Sequence, residues 1–132
     1  SWIIENFINE YNNLNNNYNV LTIDAPWGGH DTIVDHKEYK LKQLFVKPNA
    51  KLSLQYHHHR SEHWVVASGT ATVQLGENVS DLKSGEYIHI PVGEKHRISN
   101  NTNEDLIIVE VQYGEILEES DIVRIEDSFG RA

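Results

Sequence analysis

Cysteine is absent from the 132 residues, and arginine occurs only at positions 60, 97, 124 and 131. Without cysteine there is no disulfide framework and no thiolate metal ligand, which fits a reducing compartment such as the cytoplasm. No apolar run approaches the roughly 20 residues that a membrane span needs. We therefore expect a cytoplasmic protein with no membrane partner.

Basic residues are outnumbered by acidic ones, and the net charge is −9. This balance argues against a nucleic-acid partner, which requires a basic surface. A small anionic ligand would need a local cluster of cations, because charges beyond about 8 Å are screened at physiological salt. The length predicts one domain that can bury a core of its own.

The secondary-structure patterns predict an N-terminal helix followed by an all-β domain. Apolar residues recur at helical spacing over residues 1–19, which we interpret as a helical appendage to a domain at 20–132. Short alternating segments separated by turns then predict a sandwich or barrel. Within it we expect a turn at 25–31, a hairpin at Ser68-Gly69 and a short helix around 121–125. The predicted strands are 20–23, 39–47, 52–57, 70–75, 87–90, 96–99 and 106–113.

The most informative stretch begins at the alternating run Leu52–His57. Successive strand side chains point to opposite faces, so Ser53, Gln55 and His57 share one face. Gln55 and His57 stand at the spacing of two ligands on one ion. Glu62 follows after a short connection, at the start of the next predicted strand.

A second stretch carries Gly85, Pro91, Gly93, His96 and Asn100 at fixed spacing. The order Gly, five residues, Pro, one, Gly, two, His, three, Asn resembles the second motif of the cupin family. That resemblance implies a double-stranded β-helix, a jelly-roll barrel.

The first cupin motif, laid on this chain, runs through Asn49, Gln55, His57, Glu62 and Gly69. The chain departs from the pattern twice. Asn49 replaces a Gly, which is a mild change because Asn tolerates left-handed backbone. Gln55 replaces a His, which exchanges an imidazole nitrogen for an amide oxygen.

The segment 52–64, Leu-Ser-Leu-Gln-x-His-His-His-Arg-x-Glu-His-Trp, resembles the type II mannose-6-phosphate isomerase family. Members of this family are often the C-terminal domain of bifunctional enzymes that also make GDP-mannose. The likeness runs from about residue 26 to 131. The chain begins with Ser1 and not with Met, so we expect either a trimmed chain or an excised domain. It contains no Gly-rich loop of the pyrophosphorylase kind, and we expect no guanylyl transfer from it.

The resemblance implies the zinc set of phosphomannose isomerases, which falls on Gln55, His57, Glu62 and His96. Judged by chemistry alone, two imidazoles, a carboxylate and an amide oxygen suit Zn, Mn, Fe, Co or Ni. We therefore expect a divalent metal cofactor, with Zn²⁺ the first choice.

The implied reaction interconverts mannose 6-phosphate and fructose 6-phosphate through a cis-enediol. The catalytic base of this reaction could be His59, Glu110 or a hydroxide bound to the metal, and the sequence does not decide between them. Arg60 holds the place of a Lys that type I isomerases carry two residues before the Glu ligand. An Arg cannot be a base at neutral pH, but it can bind an enediolate or a phosphate.

Arg97 and Lys95 flank His96 and are the predicted phosphate-binding residues, and Ser53 is a further predicted substrate contact. The alternatives are another sugar-phosphate or nucleotide-sugar isomerase or epimerase, a metal-dependent oxygenase, and a sugar-binding cupin without turnover. Gln55 argues against the oxygenase, which favours His-rich or facial-triad sites. The family also implies a homodimer.

Overall fold

The computed structural model describes residues 21–127, which form two antiparallel sheets and no α-helix. The helix expected over residues 1–19 lies outside the described residues. No helix in the described part of the chain is long and apolar enough to cross a membrane. The strands are β1 (Leu21–Ala25), β2 (Gly28–Asp35), β3 (Tyr39–Val46), β4 (Leu54–His57), β5 (Arg60–Ser68), β6 (Thr70–Leu75), β7 (Asn78–Lys83), β8 (Tyr87–Ile90), β9 (His96–Ser99), β10 (Leu106–Gly114) and β11 (Ile122–Glu126).

The six-stranded sheet has the order β1-β2-β3-β10-β5-β8, and the five-stranded sheet has the order β11-β4-β9-β6-β7. Their inner faces enclose a core that draws on both sheets. The apolar core side chains are Trp27, Leu44, Val46, Trp64, Val66, Ala71, Val73, Ile90, Ile98, Leu106 and Ile108. This arrangement confirms the all-β prediction.

The inner face of β10 changes character along its length. Leu106 and Ile108 are fully buried in the core, whereas Glu110 and Gln112, on the same face, are buried polar residues. Strand β5 runs antiparallel to β10 and shows the same change from polar to apolar, in the reverse order along the chain. Its buried polar residue Glu62 lies opposite Gln112 of β10. One end of the space between the sheets is therefore the apolar core, and the other end is polar.

Two backbone positions agree with the motif spacing. Asn49 has φ +59°, so it adopts the left-handed conformation expected for a residue in a glycine position. Gly69 has φ +89°, and a Cβ there would lie 2.6 Å from the carbonyl oxygen of Asp105.

The hairpin expected at Ser68-Gly69 is wrong. Gly69 joins β5 to β6, but these two strands belong to different sheets and do not pair with each other.

The expected turn at 25–31 is also too long. Only Pro26 and Trp27 form the turn, and β2 starts at Gly28 and pairs with β3. Strand β7 was not anticipated, because its side chains are mostly exposed and show no apolar alternation. Both errors concern strands that lack the buried-face pattern on which the prediction depended.

The short helix expected around 121–125 is wrong as well. Only Glu119–Asp121 form a 3₁₀ turn, and the following residues form β11, which pairs with β4. Ile122, Val123 and Ile125 are β-branched and favour a strand. Pairing also covers the edge of β4, whose backbone groups would otherwise lack partners there.

Candidate metal centre and its cavity

Three buried side chains from three strands converge at the polar end of the sandwich. His57 lies on β4, Glu62 on β5 and His96 on β9. The Nε2 atoms of His57 and His96 lie 3.2 and 3.3 Å from Oε1 of Glu62. Their ligand atoms all lie within 4.8 Å of one another, so the three residues could hold one metal ion.

The chemistry of this cluster fits a cation. His96 Nδ1 lies 2.9 Å from the carbonyl oxygen of Glu94, which can only accept, so Nδ1 carries the proton. Nε2 is therefore the His96 nitrogen that faces the Glu62 carboxylate. This backbone contact is typical of histidines that bind metals.

Glu62 is the charged member of the cluster. Burial alone would raise the pKa of its carboxyl, but hydrogen bonds with Glu110, His57 and His96, together with Arg60, hold that pKa well below its usual value. A buried, ionised carboxylate between two imidazoles gives a site that suits divalent transition metals. The structure thus brings three of the four predicted ligands together.

Gln55 is placed beside the cluster by strand pairing. It lies opposite His96 in the β4–β9 register and lines the same cavity. Its amide nitrogen donates to Oγ of Ser53, at 3.0 Å, which leaves the amide oxygen free to act as an acceptor or ligand. Ser53 is fully buried and also lines the cavity. The roles of Gln55 as fourth ligand and of Ser53 as substrate contact stay predictions.

The cluster faces a cavity of about 410 Å³ between the sheets. Four basic side chains from four strands line it, although the chain as a whole carries a net charge of −9. The basic residues are Lys42, Arg60, Arg97 and Arg124. Four acidic residues, Asp24, Glu62, Glu110 and Glu119, line the same cavity, so its cations are concentrated locally but are interspersed with carboxyl groups.

Arg60 is the cation nearest the candidate ligands. Its Nη2 lies 3.4 Å from His57 Nε2 and 3.5 Å from Glu62 Oε2, and the side chain is buried. Its Nε and Nη1 atoms are buried and have no hydrogen-bond partner among the described residues. Unpaired buried donors are costly, so a ligand that accepts from them would be stabilised.

Glu110 is a second buried carboxyl, held in place by two donors. Trp64 Nε1 donates to Oε1 and Gln112 Nε2 donates to Oε2, each at 3.2 Å. Burial raises the pKa of Glu110 well above its usual value, and repulsion by Glu62 and a hydrogen bond to it add to the rise. Of the two neighbouring carboxyls, Glu110 is thus the one that holds a proton more readily and Glu62 the one that loses it.

The structure does not bring His59 or Lys95 to the cavity. The ring of His59 is 44% exposed, and its Nδ1 lies 2.9 Å from Oδ1 of Asp121. Asp121 also accepts the backbone N–H groups of His58 and His59, and so fixes the connection between β4 and β5. Lys95 is exposed and does not line the cavity. Their proposed roles stay predictions without support from this arrangement.

Arg97 lines the cavity, but its guanidinium already serves the fold. Its Nε donates to the carbonyl oxygen of Leu52 and its Nη2 to that of Glu126, each at 3.0 Å. These bonds tie β9 to the segment before β4 and to β11. Fewer donors remain for a phosphate than the sequence alone suggested.

Sequence reasoning missed Lys42, Glu119 and Arg124 as cavity residues. The position of Lys42 could have been predicted from the alternation of β3, because Lys42 shares the inner face of that strand with Leu44 and Val46. Glu119 and Arg124 carried none, because their segment was expected to form a helix.

The sandwich and its His-Glu-His cluster define a cupin with a candidate metal centre. Solved structures agree with the fold. An RmlC-like cupin from Shewanella frigidimarina aligns with a TM-score of 0.69 and 16% identity, over 79% of this chain and 90% of that one. The capsular polysaccharide assembling protein CapF from Staphylococcus aureus aligns with a TM-score of 0.71 and 18% identity, over 82% of this chain and 34% of that one.

The chain belongs to the family described as mannose-6-phosphate isomerase C-terminal, which matches residues 12–127. Xanthan biosynthesis protein XanB from Xanthomonas campestris pv. campestris is 49% identical over 106 residues, 80% of this chain and 23% of the relative. Alginate biosynthesis protein AlgA from Pseudomonas putida is 46% identical over 113 residues, 86% of this chain and 23% of the relative. Mannose-1-phosphate guanylyltransferase from Escherichia coli is 44% identical over 106 residues. The chain spans less than a quarter of the length of these relatives.

Proposed function

We propose that this domain is a divalent-metal-dependent isomerase that interconverts mannose 6-phosphate and fructose 6-phosphate. The observation that carries the proposal is that three kinds of chemistry meet in one cavity. Glu62 and His96 line it together with the buried cation Arg60 and the carboxyl of Glu110, and the third candidate ligand, His57, lies 3.2 Å from Glu62. An aldose–ketose isomerase needs an electrophile, an anion-binding group and a proton carrier in this proximity.

A divalent ion would be held by His57, Glu62 and His96, and Gln55 is the candidate fourth ligand. When bound, the ion would polarise the sugar carbonyl and stabilise the negative charge that develops on its oxygen. The absence of thiolates from the donor set favours zinc, manganese, iron, cobalt or nickel over thiolate-selecting ions.

Glu110 is the group that we assign to proton transfer. A carboxyl with a raised pKa can take and return a proton near neutral pH, which an ordinary glutamate does poorly. In the forward reaction the ionised form of Glu110 would take the proton from C2 of the aldose and, now protonated, return it to C1 to give the ketose. Trp64 and Gln112 hold both carboxyl oxygens of Glu110, so its orientation is fixed before the sugar binds.

Arg60 is the residue that we assign to the enediolate. Its guanidinium lies beside the candidate metal ligands, with Nη2 3.4 Å from His57 Nε2, and its Nε and Nη1 have no hydrogen-bond partner among the described residues. A guanidinium stays charged and donates through a rigid fork, so it suits a planar anion with two neighbouring oxygens.

Proton nuclear magnetic resonance in D₂O tests this function directly. The zinc-supplemented chain should convert mannose 6-phosphate to fructose 6-phosphate and introduce some deuterium at C1 as the transferred proton exchanges with solvent. Unphosphorylated mannose is the matched control and should react at least tenfold more slowly, because each lost charge-assisted contact is worth about 1.4 kcal/mol or more. Binding of the sugar phosphate without any product would instead support a non-catalytic sugar-binding cupin.

A further inference from the structure

Lys42 is a buried cation that the proposed reaction has not used. It lies on the inner face of β3, is only 5% exposed, and stands opposite Glu110 in the β3–β10 register. Its side chain lines the cavity. An inward-pointing lysine in a sheet is unusual unless its charge has a partner.

The partner of Lys42 is Glu119, which comes from the 3₁₀ turn before β11. The ammonium donates to Oε1 of Glu119, and the glutamate side chain is 55% exposed. Partial burial would raise the pKa of Glu119, but the charge of Lys42 outweighs it and lowers that pKa, so the carboxyl is ionised. The pair thus joins a buried ammonium inside the cavity to a carboxylate at its surface.

The hydrogen-bond capacity of Lys42 is not filled. An ammonium has three donors, and Glu119 is its one recorded acceptor among the described residues. Lys42 and Arg60 both line the cavity, and Arg60 has two buried nitrogens, Nε and Nη1, without a partner among the described residues. Two buried cations with spare donors form a site for an anion with several oxygens.

We propose that Lys42 grips the phosphate monoester of the substrate, and that Glu119 occupies this cation in the free protein and is displaced when the phosphate binds. The identity of the substrate class rests on the function proposed above. Arg97, the phosphate-binding residue suggested by the sequence, is less available, because backbone carbonyls already accept from two of its nitrogens.

The exchange favours phosphate for two reasons. A phosphate monoester carries nearly two negative charges and three acceptor oxygens, whereas Glu119 offers one charge and one contact. The displaced carboxylate is already half in water and belongs to a turn of only three residues, so its release disturbs little packing. Glu119 would therefore compete successfully with anions of lower charge for Lys42, whereas a phosphate dianion would displace it.

Isothermal titration of the intact 132-residue chain with inorganic phosphate tests the site without turnover. Glu119→Gln should tighten phosphate binding about fivefold to tenfold, and Lys42→Gln should weaken it at least tenfold, because a charge-assisted contact is worth about 1.4 kcal/mol or more. Glu118→Gln is the matched control, since Glu118 is exposed on the same segment and its side chain accepts one hydrogen bond among the described residues, from Ser120. Unchanged phosphate affinity in Glu119→Gln would overturn the competition, and unchanged affinity in Lys42→Gln would overturn the site.

Steady-state kinetics with mannose 6-phosphate separates this inference from the proposed function. Lys42→Gln should raise KM at least tenfold, Lys42→Arg should recover most of the loss, and Glu119→Gln should lower KM. Turnover with an unaltered KM in Lys42→Gln would leave the proposed function standing and remove Lys42 from the site. Phosphate binding that depends on Lys42, in a chain that does not isomerise mannose 6-phosphate, would support the phosphate site and contradict the proposed function. Glu119→Gln keeps the test valid if Lys42→Gln does not fold, because Glu119 is exposed.

Discussion

Replacing His57 with Ala is expected to abolish stoichiometric metal binding and to reduce isomerase turnover by on the order of 10³ or more. His57 supplies one of three converging ligand atoms, and its loss leaves only Glu62 and His96 from two strands. The electrophile would then be lost from the cavity, and several kcal/mol of transition-state stabilisation would go with it. Bound metal is measured by mass spectrometry of dialysed protein, alongside turnover.

The matched control is His58→Ala. His58 is the neighbouring residue, but it is exposed and its ring packs edge-on against Tyr56 outside the metal cluster. The His58→Ala protein should keep one bound metal ion per chain and nearly the full isomerase turnover. Circular dichroism must show that both variants retain the β-sheet signal. A folded His57→Ala protein that still binds one ion as tightly as the parent would refute the ligand assignment.

Replacing Glu110 with Gln is expected to stabilise the metal-free protein and to inactivate it. Turnover should fall by about 10²–10⁴, the usual contribution of a positioned acid–base group. The free energy of unfolding at pH 7 should rise, because the folded parent chain holds a proton on Glu110 more tightly than the unfolded chain does. Few substitutions stabilise a fold and abolish its activity at the same time, so the combination is diagnostic.

The hydrogen bonds around Glu110 allow this exchange. The amide oxygen of Glu110→Gln can accept from Trp64, and its N–H can donate to Glu62 in place of the shared proton. Gln112 now donates to Glu110, and its own Oε1 is buried without a partner among the described residues. A flip of the Gln112 amide would turn that oxygen toward the new donor.

The pH dependence gives the sign of the effect. The folded-state pKa of Glu110 lies above its ordinary value of 4.5, so the parent chain loses stability as pH rises from about 4.5 through the folded-state pKa. Glu110→Gln avoids that loss, and its advantage should shrink as pH falls toward 4.5. Urea unfolding at pH 7 and pH 5 measures it, with exposed Glu115→Gln as a control expected to stay within about 0.5 kcal/mol. Equal or lower stability of Glu110→Gln at pH 7 would contradict the raised pKa of Glu110.

The fold and three candidate ligands could be predicted from sequence because both depend on local spacing. Strand alternation put His57 and Ser53 on the inner face, and the motif spacing found His96 on another strand of the same sheet. The β6, β8 and β9 boundaries were also predicted correctly, since each is a short run between clear turns. Residues two apart on a strand are neighbours in space, so such patterns carry three-dimensional information.

The remainder of the cavity depends on contacts between distant segments. The pairing of Lys42 with Glu119 joins residues 77 positions apart, and no local pattern marks it. The parity of His59 suggested an inward ring, but Asp121 captures that ring and both adjacent backbone amides from 62 positions away. Strand β11 forms by pairing with the edge of β4, which is distant in sequence. A pattern read over the residues of β11 alone therefore could not predict it.

Titration of chelator-stripped protein with zinc, following bound metal and conversion of mannose 6-phosphate together, tests the central claim most directly. The ligand geometry predicts that both rise in proportion and saturate at one ion per chain, with restoration also by manganese, cobalt or nickel at different rates. Full turnover in the stripped protein, or one tightly bound ion at the His57–Glu62–His96 cluster with no turnover by any of these metals, would contradict a metal-dependent isomerase.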